Sequence, residues 1–249
     1  MLSGYFTLEG EQHPISCKRY GLLPPAPVDY VILGVHGFCG DMNSSSLRLL
    51  AEAIVPHGGE VICFDFPAHG SSPAEGDAFT LENCKSDLLT VAKHIRRCYP
   101  CAKYGLFATS FGAYVALLCA NRLRDFRMVL RAPAVPFAEV LLQNVLHTTR
   151  EDFERAGRVT CGFERKLDLS FEAYRGFEEQ DIRGRKYRRP LLVFHGTEDD
   201  VVPYEQVTAF CARQPKARLV TLPGADHRFK RPGDMEQVIE QAAAYFLET

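Results

Sequence analysis

A chain of 249 residues, 46% hydrophobic and 24% charged, with a formal net charge of −2, has the make-up of an ordinary globular protein and the length of one α/β unit. This excludes a disordered or fibrous chain, and it speaks against a dedicated nucleic-acid surface, which needs clustered basic charge. No apolar run is long enough to span a bilayer, and the opening "MLSGYFTLEGEQHP" lacks the basic start and apolar core of a signal peptide, so the cytoplasm is the expected compartment.

Residues 5–10 and 13–20 alternate in polarity around "GEQ", which predicts a hairpin. "YVILGVHG" (30–37) is a continuous apolar run ending in glycine, the pattern of a strand buried on both faces of a parallel sheet. A helix over about 44–57 and a second buried strand with its loop, "EVICFDFPAHG" (60–70), follow. The amphipathic stretch 80–98 starts at Thr80 with Asn83 three residues on, a weak capping signal. Strands are expected at 103–109, 127–135, 190–196 and 217–223, and helices at 111–123, 203–213 and 233–247. The interval 136–188 is charged, carries Phe137, Phe153, Phe163, Phe171, Tyr174 and Phe177, and is too long for a plain connection. It predicts a helical cap inserted between a core of 1–135 and 189–249. Strands alternating with helices give a mostly parallel, doubly wound α/β sheet, with the opening hairpin antiparallel at one edge.

Nine cysteines are scattered along the chain. Cys63 and Cys119 sit in apolar runs, where thiols pack as small hydrophobes. Cys98 and Cys101 in "CYPC" have redox spacing, but they fall where a helix ends, whereas reactive thiolates favour helix starts. No second pair completes a zinc site. The basic "RGRKYRR" (183–189) follows an acidic run and reads as a solvated face.

In an open parallel sheet, ligands gather beyond the carboxyl ends of the strands. There "LFATSFGAY" (106–114) places Ser110 between an apolar strand and a helix, with Ala108 and Gly112 two positions to either side. A helix-capping serine is the plain reading. The alternative is a nucleophile lifted on an abrupt strand-to-helix turn that only small neighbours permit, at a helix N-terminus that favours developing negative charge.

Ala108-Thr109-Ser110-Phe111-Gly112 resembles the G-x-S-x-G nucleophile elbow of the α/β-hydrolase superfamily, with alanine for the first glycine. The resemblance covers nearly the full chain and implies further sites. "HGFCGD" (36–41) matches the family's loop that supplies the backbone N–H of Phe38, which with that of Phe111 would form an oxyanion hole; His36 would orient the loop. "HGTEDDVVP" (195–203) matches the loop carrying the family's acid, in the form D-x-x-V-P, which falls on Asp199, with Glu198 and Asp200 as alternatives. "GADHRF" (224–229) offers His227 as the base. His13 and His57 fall in exposed-looking loops, His94 on a helix face, His147 in the cap, and His69 in a loop that is structural in the family. Ser110, Asp199 and His227 follow one another in the order of this fold.

The resemblance implies a serine hydrolase acting on a small-molecule ester, with no cofactor or metal. Its layout is similar to bacterial cinnamoyl or feruloyl esterases and related small carboxylesterases, and to monoacylglycerol lipases. Thioesterase, amidase and carbon–carbon hydrolase chemistry share the triad, and a non-catalytic binding scaffold shares the fold. Phe137, Phe171, Tyr174 and Arg131 are candidates for the substrate pocket. Arg131 is a charge in an otherwise apolar strand and needs a partner; a cap acid is expected, and a substrate carboxylate is the alternative.

Overall fold

The computed structural model describes residues 1–22, 27–162 and 165–248. Two antiparallel strands, β1 (Leu2–Glu9) and β2 (Pro14–Gly21), form the hairpin, and β2 hands the sheet on to β4 (Gly59–Phe64). The other strands are β3 (Tyr30–Val35), β5 (Lys103–Thr109), β6 (Phe126–Arg131), β9 (Leu191–Gly196) and β10 (Ala217–Leu222). They join β4 in parallel to complete eight strands in the order β1-β2-β4-β3-β5-β6-β9-β10. The apolar runs read as continuous because both sheet faces are covered. Along β5, Leu106 and Ala108 join the core on one face and Phe107 the core on the other. β6 does the same with Met128 and Leu130 against Val129.

α1 (Ser45–Ile54) and α8 (Asp234–Leu247) cover one face, through Leu47, Leu50, Ile54, Val238 and Phe246. α2 (Leu81–Cys98), α3 (Phe111–Leu118) and α7 (Tyr204–Ala212) cover the other. The Thr80 hydroxyl accepts the Asn83 N–H, so the capping signal is used. β6 is shorter than the sequence suggests: it ends at Arg131, because Ala132 at φ 46° leaves the extended region.

The interval 136–188 holds α4 (Phe137–Val140), a π-helical turn Leu141–Val145, α5 (Arg150–Ala156) and α6 (Phe171–Glu178). It is not wholly helical. β7 (Arg158–Cys161) and β8 (Leu167–Ser170) pair antiparallel between α5 and α6. Phe163, one of the aromatics expected in this interval, lies outside the described residues. The interval docks through Phe177 against Phe79 and through the buried Tyr114 hydroxyl, which donates to the carbonyls of Phe177 and Gln180 at 3.2 and 3.0 Å.

Candidate active site

Ser110 joins β5 to α3 with φ 50° and ψ −114°, a conformation a side-chain-bearing residue rarely adopts. Such strain costs on the order of 1–3 kcal/mol and persists only where the surroundings enforce it. Here they do. The Ser110 N–H donates to the Arg131 carbonyl at 2.9 Å, and the Ser110 carbonyl accepts the N–H groups of Ala113, Tyr114 and Ala134. A Cβ on Gly112 would stand 2.3 Å from the His36 carbonyl, and one on Gly37 would stand 3.3 Å from the Ser110 Cβ. The small residues therefore let β5, α3 and the loop after β3 meet backbone to backbone. The Ser110 side chain makes no capping hydrogen bond, so the plain reading of this serine does not describe its hydroxyl.

Beyond β9, the buried carboxylate of Asp199 accepts the N–H groups of Val201 and Val202 at 3.0 and 2.7 Å. It also meets His227 Nδ1 at 2.8 Å. Glu198 and Asp200 are exposed on either side, so Asp199 is the acid of this loop that reaches the imidazole. Burial pushes the Asp199 carboxyl up, but the His227 ring, the Val202 N–H and His195 outweigh it and hold it below the ordinary carboxylate range. With Nδ1–H donated to a carboxylate, Nε2 of His227 is left as an acceptor. His227 and Ser110 line the same cleft. Among the described residues no hydrogen bond joins Ser110 Oγ to His227 Nε2; such contacts often tighten only when substrate binds.

His195 escaped notice in the sequence. It is fully buried, donates Nε2–H to the Val202 carbonyl at 2.9 Å and lies 3.5 Å from Asp199. Burial holds it below the usual histidine range, so it packs neutral behind the acid. His13 also departs from expectation: it is half-buried, because its ring sits 2.9 Å from the buried carboxylate of Asp87 on α2.

The loop after β3 is fixed by His36. Its Nδ1–H donates to the Gly37 carbonyl at 2.7 Å, and its Nε2 accepts the Phe66 N–H at 3.0 Å. Burial keeps this ring neutral. The Phe38 and Phe111 N–H groups have no acceptor among the described residues, and their rings pack edge to face at 6.2 Å.

The cleft encloses about 910 Å³, with Phe38, Ser110, Arg131, Arg165 and His227 in its wall. Phe137, Phe171 and Tyr174 are not among the residues of that wall. Phe137 is buried against Phe111 and Phe177, with ring centroids at 4.6 and 5.1 Å. Phe171 and Tyr174 pack on Phe153, and the Tyr174 hydroxyl donates to Glu178. Phe153, Phe171 and Tyr174 thus bury ring area on one another, whereas Phe137 packs on Phe111 and on Phe38 of the cleft wall, 6.0 Å away between ring centroids. Arg131 does line the cleft, and among the described residues no acid of 136–188 meets it. Its guanidinium donates from Nε to Thr109 Oγ1 at 3.3 Å and from Nη1 to the His227 carbonyl at 3.1 Å, and it stands over the Phe229 ring. Among the described residues no group of three or more His, Cys, Asp or Glu side chains is arranged to hold a metal ion.

The sequence matches the alpha/beta hydrolase family over residues 32–240. No curated protein matches the chain in sequence. In three dimensions it is similar to Est1E from Butyrivibrio proteoclasticus, solved with ferulic acid bound: TM-score 0.84 at 21% identity, covering 97% of this chain and 98% of that one. The esterase domain of a Rhodothermus marinus protein superposes with a TM-score of 0.71 at 22% identity over 98% of each chain. Alpha/beta hydrolase domain-containing protein 10 from mouse gives 0.77 at 18% identity, over 97% and 98%. With the family matched over most of its length and the sheet order and site described above, the chain belongs to the α/β-hydrolase family.

Proposed function

We propose that the protein is a serine hydrolase that cleaves carboxylic esters of small or medium acyl groups, aromatic ones included, through an acyl-enzyme on Ser110. Residues 1–135 and 189–249 act as the catalytic core and 136–188 as its cap. The observation that carries this reading is the pairing of a strained, uncapped serine with an Asp199-held imidazole in one cleft. A free serine hydroxyl is a weak nucleophile. His227 Nε2 takes its proton as Oγ attacks the ester carbonyl, and Asp199 keeps the ring in the required tautomer and stabilises its charged form. The Phe38 and Phe111 N–H groups receive the oxyanion, where each donor is worth about 2.7–4 kcal/mol of barrier. His227 then protonates the departing alkoxide. Water, deprotonated by the same ring, attacks the acyl-enzyme and releases the acid. All of this runs on side chains and backbone of this chain.

The relatives' names support an ester as substrate, since one was solved with ferulic acid bound and another is named an esterase domain. Nine free cysteines fit a reducing compartment, so we place the enzyme in the cytoplasm. The test is Ser110→Ala with p-nitrophenyl esters and methyl ferulate: turnover is abolished while the circular dichroism spectrum and melting point are kept. Full hydrolysis by that variant rejects the assignment.

A further inference from the structure

Arg131 is an expensive residue to keep where it is. It ends a core strand and is 92% buried, at 8% exposure. Desolvation pushes its guanidinium down to about 10 against the opposing pull of Asp199 and Asp226, so it remains a cation at neutral pH. Removing a cation from water is costly unless a partner compensates it, and an apolar side chain of similar volume would avoid that cost. Yet no carboxylate hydrogen-bonds it among the described residues. Asp199 is occupied by His227 and two backbone N–H groups, and Asp226 accepts the Lys230 N–H. The two acceptors that Arg131 does have, Thr109 Oγ1 and the His227 carbonyl, are neutral and use only Nε and one N–H of Nη1. Nη2 has no acceptor among the described residues, and Arg131 is part of the cleft wall.

The placement of this cation beside the nucleophile is equally specific. Arg131 pairs with Thr109 across β5 and β6, and its own carbonyl accepts the Ser110 N–H. Arg131 thus ends the strand next to the one that leads into Ser110, and both residues line the same cleft. Thr109, the His227 carbonyl and the Phe229 ring hold it in one orientation. A planar donor fork fixed in this way suits a carboxylate. The surrounding wall agrees in sign: Arg165 lines the same cleft and gives its N–H groups to the carbonyls of His69, Gly70, Ser72 and Ala74, without an ion pair among the described residues. Asp41 is the one carboxylate in that wall among the described residues, and it accepts the Asn43 N–H.

We propose that Arg131 binds a carboxylate of the substrate, and that the preferred esters carry this carboxylate a few bonds from the scissile carbonyl, as monoesters of short dicarboxylic acids do. The inference rests on the serine-hydrolase reading and narrows its substrate class. The second carboxylate takes no part in bond making: Ser110 attacks the ester carbonyl, the alcohol leaves, and water releases the dicarboxylic acid. The placement of Arg131 and Ser110 at the ends of neighbouring strands in one cleft sets the short chain.

The test compares monomethyl succinate with methyl 4-methylpentanoate, in which an isopropyl group replaces the carboxylate, by proton release at constant ionic strength. The wild type is expected to favour the anionic ester in kcat/KM by at least about 10-fold, as a charged hydrogen bond provides. Arg131→Gln removes that preference and Arg131→Lys keeps part of it. Equal kcat/KM values in the wild type, turnover of neither ester, or an equal loss on both esters in Arg131→Gln overturns the proposal; the last result would leave Arg131 only supporting the His227 loop. If Arg131→Gln does not fold, inhibition of neutral-ester hydrolysis by succinamate against butyramide decides on the wild type alone, with equal inhibition overturning it. Hydrolysis that survives Ser110→Ala counts against the serine mechanism, whereas Ser110-dependent hydrolysis without the anionic preference counts against this inference only.

Discussion

His227 Nδ1 lies 2.8 Å from Asp199 Oδ2, and the Val201 and Val202 N–H groups hold the same carboxylate from its own loop. Asp199 therefore has no freedom to turn away, and its charge is maintained below the usual carboxylate range. Replacing it with asparagine keeps the shape but removes the acceptor that selects the Nδ1–H tautomer. Asp199→Asn is expected to lower kcat by about 10³–10⁴, while Glu198→Gln and Asp200→Asn, both exposed, leave it nearly unchanged. A comparable loss in either neighbour would move the acid off Asp199.

The turn at Ser110 makes a separate claim on stability. Gly112→Ala puts a Cβ 2.3 Å from the His36 carbonyl, a backbone atom that cannot swing aside. Urea unfolding is expected to show a loss of about 2–4 kcal/mol, at or above the upper end of overpacking costs. Gly176→Ala is the contrast. It lies in α6 with nothing within 4 Å of the new carbon, and should gain about 0.5–1 kcal/mol from a stiffer unfolded chain and better helix propensity. Equal effects at the two sites would contradict the close approach.

His69 gives the fold an acid limb. Its Nδ1–H donates to the Pro67 carbonyl at 2.8 Å, and its buried Nε2 has no hydrogen-bond partner among the described residues. Burial, with His36 and Arg165 adding repulsion, pushes its pKa down to about 3. In the unfolded chain the ring takes a proton near 6.5, so the unfolded state binds more protons between pH 6.5 and 3. The stability contributed by the neutral ring is complete above that window and is lost as pH falls through it. Between pH 7.5 and 4.5 the wild type should lose on the order of 2 kcal/mol more than His69→Gln. Parallel profiles for the two proteins would show that His69 is not held neutral.

The sheet was legible in the sequence because strands covered on both faces are written as unbroken apolar runs, and the strand-to-helix turn at 110 because it demands small neighbours at fixed spacing. What escaped depends on contacts far apart in the chain. The pair β7–β8 has four-residue strands in which polar and apolar side chains alternate, a pattern too short to stand out from a helical cap. The partners of Arg131 are a hydroxyl across the sheet and a backbone carbonyl on the last loop, and carbonyls carry no signal in a sequence. Aromatic content alone does not say which rings face a cleft and which pack on each other, and Phe137, Phe171 and Tyr174 are seen packed on other rings. His13 was misplaced for a similar reason, since its partner Asp87 lies 74 positions away.

The central claim is that Ser110 is a nucleophile activated by His227, and covalent labelling reads this directly. Wild-type protein treated with a fluorophosphonate and mapped by peptide mass spectrometry should carry one adduct, on Ser110, that forms far more slowly in Asp199→Asn and His227→Ala. Folded wild-type protein that stays unlabelled, or whose adduct maps to another residue, would contradict the account.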